Sequence, residues 1–304
     1  MDWNLWRSIA KSADELGFDS LWRSDHLVAL YGKTPGGALD SLLSLGIAAE
    51  ATERIGLGTM VASVTFRHPS VLARQAAHID ALSGGRFVLG VGAGWHEGEH
   101  TEYGVDFPPI GERMDRLRET ILYCRAAWTP GPTSYTGTHY RLDGVHGLPL
   151  PAQDPLPILV GGSGERRTLR IVAEFADEWN VTGRDLPNYG RKLDVLRGHC
   201  DAVGRDPDAI RRSIAAPFAV GVDEADLNSR IEKLRLRVPT LTGDLRNLGD
   251  HRGPGGWFSG TPDEMVNQLG RLSEQGVSRV MLQHLAHDDF SAPELLAARV
   301  LPQL

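Results

Sequence analysis

Cysteine is scarce. The 304-residue chain holds two, Cys124 and Cys200, both in helix-like segments. They read as reduced thiols of a cytosolic protein, which argues against a fold stapled by disulfides. Long apolar runs are also missing. No stretch of about 18 consecutive apolar residues occurs, so no transmembrane helix is expected. Met1 is followed by Asp2 rather than by a basic stretch and an apolar core, so no signal peptide is expected either. Positive charge is not in excess: the net charge is −7, spread without long runs, and there is no basic face for nucleic acid. No repeat of fixed period is present beyond an alternation of strand and helix patterns.

What remains is globular. With 41% hydrophobic and 23% charged residues the chain can bury a core and keep a soluble surface. The organising stretch is residues 55–99, IGLGTMVASVTFRHPSVLARQAAHIDALSGGRFVLGVGAGWHEGE. It reads as a strand (55–61), a turn-like segment (62–69), a helix (70–82), a Ser83-Gly84-Gly85 breaker and a second strand (87–91). Both strands are almost continuously apolar, as in a parallel sheet covered on both faces. In such a sheet the loops after the strands carry the chemistry, here residues 62–69 and 92–99.

The same alternation runs through the chain. Helices are expected over 4–16, 38–51, 111–127, 165–176, 188–203, 225–236, 262–275 and 293–301. Strands are expected over 20–23, 158–160, 178–181, 212–222 and 279–285. Residues 128–157 hold six prolines and read as an irregular insertion with one small hairpin; residues 238–260 read as a loop. The pattern predicts an α/β fold, a single (β/α)8 TIM barrel over residues 1–304. Seven strands are found and the chain opens on a helix, so the first strand of the barrel is expected to be missing.

Several constellations can carry chemistry. Asp25 and His26 follow the first strand; a histidine there can move a proton near neutral pH, and an adjacent aspartate can bias its tautomer. Gly161, Gly162, Ser163 and Gly164 precede Glu165-Arg166-Arg167 and a helix, a composition suited to an anion site. The run Gly90-Val91-Gly92-Ala93-Gly94 lacks the spacing of a dinucleotide fingerprint, and its glycines are expected to let a flat ring approach the backbone. Trp95 either stacks on such a ring or packs. His96, Glu97, Glu99 and His100 lack a zinc signature such as HExxH and read as solvated loop charge, so no metal is expected. The abrupt exit from a strand at Met60-Val61-Ala62-Ser63 suits a strained or cis peptide.

These segments together resemble the bacterial luciferase-like superfamily, in particular its class of oxidoreductases dependent on the deazaflavin coenzyme F420 (F-420). The resemblance is carried by GFDSLWRSDHL (17–27), residues 55–100, FPPIGERMDRLRE (107–119), PILVGGSGERRTLRIVAEFADEWNV (157–181), GTPDEM (260–265) and GVSRVMLQHL (276–285). It implies a TIM barrel holding a tricyclic ring at the carboxyl ends of its strands, with Asp25 and His26 near the reactive edge. It places a non-prolyl cis peptide near Met60-Val61 behind the ring, with Ser63 as a polar contact. Gly92, Ala93, Gly94 and Trp95 would line the ring, and Gly161, Gly162, Ser163, Gly164 and Arg166 would anchor phosphate or side chain. Arg167 and Arg184 are further cations for an acidic tail. Sugar-phosphate dehydrogenases of the class carry a glutamate where this chain has Trp95, which argues against that substrate. The expected function is hydride transfer between F420 and a small organic substrate. The alternatives are an FMN-dependent two-component monooxygenase and a non-catalytic flavin-binding barrel. A cytoplasmic protein is expected, with no nucleic-acid or membrane partner and with a homodimer left open.

Overall fold

A computed structural model describes residues 1–30, 37–147, 149–238 and 256–304. The chain enters through helix α1 (Trp3–Glu15), capped by the Asp2 carboxylate on the Leu5 amide, and buries Trp6 and Ala10. Gly17, at φ +87°, turns it into β1 (Ser20–Arg23). Helix α2 (Ser41–Ala51) follows, then β2 (Gly56–Thr59), the two-residue β3 (Ala62–Ser63), α3 (Pro69–Leu82) and β4 (Phe87–Gly92). Helices α4 (Glu97–Tyr103) and α5 (Ile110–Ala127) lead to the antiparallel hairpin β5 (Pro132–Thr136) and β6 (Arg141–His146). Then come β7 (Ile158–Gly161), α6 (Thr168–Phe175), β8 (Glu178–Thr182), α7 (Tyr189–Val203), β9 (Arg211–Val220) and α8 (Glu224–Arg237). The chain closes with β10 (Phe258–Gly260), α9 (Pro262–Glu274), β11 (Arg279–Gln283) and α10 (Ser291–Arg299).

The strands form a parallel sheet in the order β1-β2-β4-β7-β8-β9-β10, with β11 on β9 and β3 on β4. It is rolled nearly closed into a barrel with helices around it. Among the described residues no ladder joins β1 to β11. Side chains span that seam instead. Arg279 of β11 lies 3.5 Å from the carboxylate of Asp19 and stacks its guanidinium over Trp22, 5.3 Å from the ring centre. Trp22 in turn lies against Gly58, where a Cβ would sit 2.2 Å from the indole. Arg279 also reaches inward to Glu178, 2.5 Å away in the barrel interior.

Every expected strand and helix is present, with ends shifted by a few residues. Residues 38–40 precede α2 rather than join it, and α6 starts at Thr168 instead of Glu165. Among the strands and α-helices of the described residues, three short ones were not expected. One is α4, whose residues were read as loop; the others are β3 and β10, of two and three residues. The rest of the expected 238–260 loop, residues 239–255, lies outside the described residues. The expected hairpin is real, and a buried carboxylate holds its turn. Glu119 of α5 accepts the amides of Thr138, His139 and Tyr140 at 2.8, 2.9 and 3.1 Å. Replacing Glu119 with alanine strands three donors, at a cost of about 1–3 kcal/mol. Amide exchange at residues 138–140 is expected to accelerate and the melting temperature to fall; unchanged exchange there would refute this role. Both cysteines are buried, and burial pushes the Cys124 thiol up to about 12, so it is no nucleophile at neutral pH.

Candidate active site

Beyond β1 the chain places Asp25 and His26 side by side, but their side chains do different things. Asp25 is buried and bonded on all sides. It takes a fork of hydrogen bonds from Arg67 (2.6 and 3.0 Å), one from the Ser41 hydroxyl (2.6 Å) and one from the Ser63 amide (3.1 Å). Arg67 also binds Asp40 at 2.9 Å. Burial alone would lower the pKa of the Arg67 guanidinium; the bonds and charge of Asp25 and Asp40 outweigh it and raise it. Asp25 therefore ties the β1 exit to α2 and to β3. It does not set the tautomer of His26, as its sequence position had suggested.

That partner is Glu99, 73 positions away in sequence. Its carboxylate lies 2.9 Å from His26 Nδ1, and its other oxygen accepts the Leu27 amide at 2.9 Å. Glu99 is 1% exposed and so is His100. Reading both as solvated loop charge is corrected: they form the inner face of α4, and only Glu97 is exposed as expected. His96 caps that helix, accepting the Glu99 amide on Nδ1 at 3.1 Å. Among the described residues no group of three or more His, Cys, Asp or Glu side chains is placed to hold a metal ion.

The β2–β3 junction lies beside this pair. The Met60–Val61 peptide is cis, where the resemblance placed it. Val61 fills the space that side chains at two glycines would need: a Cβ would lie 2.6 Å from Val61 Cγ2 at Gly92 and 2.9 Å from Val61 Cγ1 at Gly161. At Gly94, φ +76°, a Cβ would meet the Ser63 hydroxyl at 2.7 Å. The bare backbones at 92, 94 and 161 leave space that Val61, between β2 and β3, and the Ser63 hydroxyl occupy. The Ala93 and Gly94 carbonyls are gripped by Arg113, the latter at 2.5 Å.

A directed chain of hydrogen bonds starts at Ser63. His100 Nδ1 faces the His96 carbonyl at 2.8 Å, and a carbonyl only accepts, so Nδ1 carries the proton. With the ring neutral, His100 Nε2 accepts from the Thr65 hydroxyl at 2.7 Å, and Thr65 accepts from Ser63 at 2.6 Å. The Ser63 proton is committed inward, and its lone pairs remain for a donor. Trp95 does not pack: it is 68% exposed and stands edge-on to His26, ring centres 5.8 Å apart.

The glycine loop after β7 differs from the expected helix-end anion site. A turn at residues 165–167 separates it from α6, which weakens the helix-dipole argument. Gly162 and Gly164 are exposed. The Ser163 hydroxyl donates to Asp185 at 2.6 Å, and Lys192 bonds the Ser163 carbonyl at 2.9 Å while facing Asp185 at 3.6 Å. Arg167 is spent on Asp115 and the Gly111 carbonyl. Arg166 and Arg184 are exposed and have no ion pair among the described residues. A cavity of about 370 Å³ between α7, the start of β9 and the α9–β11 turn is lined by none of the expected site residues.

Residues 2–279 match the family model described as luciferase-like monooxygenase. The chain belongs to that family. Over 97% of this chain and 91% of its own length, an F420-dependent glucose-6-phosphate dehydrogenase of Nakamurella multipartita is 30% identical. An F420-dependent hydroxymycolic acid dehydrogenase of Mycobacterium tuberculosis is 31% identical over 71% of this chain and 59% of its own. Among solved structures, an F420-dependent secondary alcohol dehydrogenase in complex with an F420-acetone adduct superposes with a TM-score of 0.81 at 20% identity, covering 98% and 93% of the two chains. That likeness is one of fold. Within this luciferase-like barrel the sequence singled out neither Arg67 nor Thr65, and it gave Glu99 and His100 the wrong role. Each makes a bond to a residue far off in the chain, Glu99 to His26, Arg67 to Asp25 and Thr65 to His100, and no local spacing marks those pairs.

Proposed function

We propose that this luciferase-like chain is an oxidoreductase dependent on coenzyme F420, moving a hydride between the deazaflavin and the carbinol carbon of a small organic substrate. The observation that carries the reading is the meeting of His26, held on Glu99, with the β2–β3 junction through Asp25 and the Ser63 amide. Relatives named as F420-dependent dehydrogenases along nearly the whole chain support it. Their sugar-phosphate substrate is not carried over, since Trp95 stands where that class has a glutamate.

The residues fit such a cofactor. Ser63 offers an acceptor to a ring N–H, Val61 and its backbone form a wall, and the Gly164 amide with Arg166 and Arg184 suits an acidic tail; the Gly162 amide is already bonded to the Asn180 carbonyl at 3.0 Å. Bound there, the deazaflavin supplies a two-electron hydride acceptor, so an alcohol loses hydride from carbon and a proton from oxygen to leave a ketone. The chain's own part is orientation and proton handling. His26 takes the hydroxyl proton, Glu99 and Asp25 fix the loops on either side, and Trp95 walls the approach to the imidazole. Monooxygenases share the fold, among them the oxygenating constituent of a diketocamphane monooxygenase of Pseudomonas putida in complex with FMN, with a TM-score of 0.73 at 18% identity. Titration of the purified protein with each cofactor, followed by absorbance and fluorescence, separates the readings. F420 is expected to bind saturably and more tightly than FMN; tight FMN binding with none of F420 would sink the proposal. Among the described residues no helix is long and apolar enough to cross a membrane. A cytoplasmic homodimer belongs to the same proposal, and sedimentation velocity tests the dimer.

A further inference from the structure

We infer that Glu99 is the positioning residue that keeps neutral His26 in its Nδ1–H tautomer, so that Nε2 is the atom that accepts the substrate proton. The inference rests on the proposed oxidoreductase reading for the second half and on geometry alone for the first. The Leu27 amide donates to one Glu99 oxygen at 2.9 Å. The other oxygen faces His26 Nδ1 at 2.9 Å, and an ionised carboxylate only accepts, so Nδ1 carries the proton. Among the described residues Nε2 has no hydrogen-bond partner, and the Trp95 and His96 rings stand nearly perpendicular to the imidazole with ring centres 5.8 and 6.5 Å away. Asp25 cannot compete for His26, because Arg67, Ser41 and Ser63 already occupy its oxygens. When the proton arrives, the imidazolium forms against the buried carboxylate of Glu99, which stabilises it without itself taking the proton. In the proposed oxidation the hydroxyl O–H bond would break as the Nε2–H bond forms, the O–H electron pair would become the carbonyl π bond, and the C–H hydride with its own pair would pass to the oxidised deazaflavin that the reading supplies.

The Glu99→Gln substitution turns this geometry into a switch. The Leu27 amide is a fixed donor, so the glutamine must give it the carbonyl oxygen. The NH2 group then points at His26 Nδ1 and can only donate. That pairing demands a bare Nδ1 and moves the proton to Nε2, the wrong atom for accepting another. A comparable tautomer inversion in a serine protease triad costs about 10⁴-fold in turnover. Glu99→Asp keeps an acceptor-only group and is expected to keep the Nδ1–H form.

The test uses the cofactor-free protein labelled with ¹⁵N-histidine. Imidazole ¹⁵N shifts, recorded at a pH where the ring is neutral, report which nitrogen carries the proton. The unchanged protein is expected to show Nδ1–H at His26, Glu99→Asp the same, and Glu99→Gln Nε2–H. With F420 and substrate, Glu99→Gln is expected to lower kcat by about 10²–10⁴-fold with KM nearly unchanged. An Nε2–H signal in the unchanged protein overturns the inference without any variant having to fold. An Nδ1–H signal in Glu99→Gln overturns it as well. A tautomer switch that leaves kcat intact removes Nε2 as the proton acceptor, while a protein that binds no F420 but shows the predicted tautomers sinks only the cofactor reading.

Discussion

Replacing His26 with alanine is expected to lower turnover by about 10²–10⁴-fold while changing F420 affinity little. The imidazole stands at the end of β1 with Nδ1 on Glu99, beside a tryptophan that is mostly bare. Nothing else described near that ring can take its place. Asp25 is saturated by Arg67, His96 Nδ1 is bound to the Glu99 amide, and His100 is locked between Thr65 and the His96 carbonyl. The substitution leaves alone the groups proposed to hold the cofactor: Ser63, the Gly164 amide, and Arg166 and Arg184. The measurement is a pair of experiments on one variant, steady-state kcat and fluorescence titration with F420. Undiminished turnover would return His26 to a structural role, and an equal loss in both would make it a binding residue.

The second large effect is expected far from the chemistry, in the barrel interior. Arg279→Leu should destabilise the protein by about 3–5 kcal/mol, because it leaves Glu178 buried without its partner. The pair lies 2.5 Å apart, both side chains are largely buried, and Glu178 Oε1 already lacks a hydrogen bond. Burial raises the pKa of Glu178 above its ordinary 4.5, and Arg279 opposes that rise. The folded state thus holds a proton more tightly than the unfolded one. The associated stability is fully present below pH 4.5 and is lost as pH rises through the folded value. Removing Arg279 pushes that value higher and widens the window. The deficit of the variant against the unchanged protein should therefore shrink as pH falls from 7 to 5, read as the difference in melting temperature. Adding Glu178→Leu to Arg279→Leu should restore most of the stability, since an apolar pair carries no desolvation penalty. A deficit independent of pH, or unrelieved by the second substitution, would show that the seam contacts to Asp19 and Trp22 matter more than the ion pair.

How far the sequence reached can be judged element by element. The buried parallel strands, such as residues 87–91, were legible because both faces are apolar over their full length. Helices α3, α7 and α9 were legible because proline, glycine and the Thr261–Glu264 capping box mark their ends. Helix α4 was not, because seven residues holding a glycine and three glutamates look like a solvated loop until one sees that Glu99 and His100 point inward. Strands β3 and β10 escaped because two or three residues carry no periodicity.

By itself the sequence determined the barrel class, the family resemblance and the positions of Asp25 and His26 at a strand end, while the place of the cis peptide came only through that resemblance. These follow from local signals: periodicity, turn residues and motif strings. Only the tertiary structure decided which carboxylate serves His26. Asp25 is adjacent in the chain yet spent on Arg67, whereas Glu99 is 73 positions away and 2.9 Å distant. The same holds for the glycines at 92, 94 and 161, whose bare backbones admit Val61 and Ser63. A hydrogen bond is set by distance in space, and a rolled parallel sheet brings together strand ends that the chain keeps far apart.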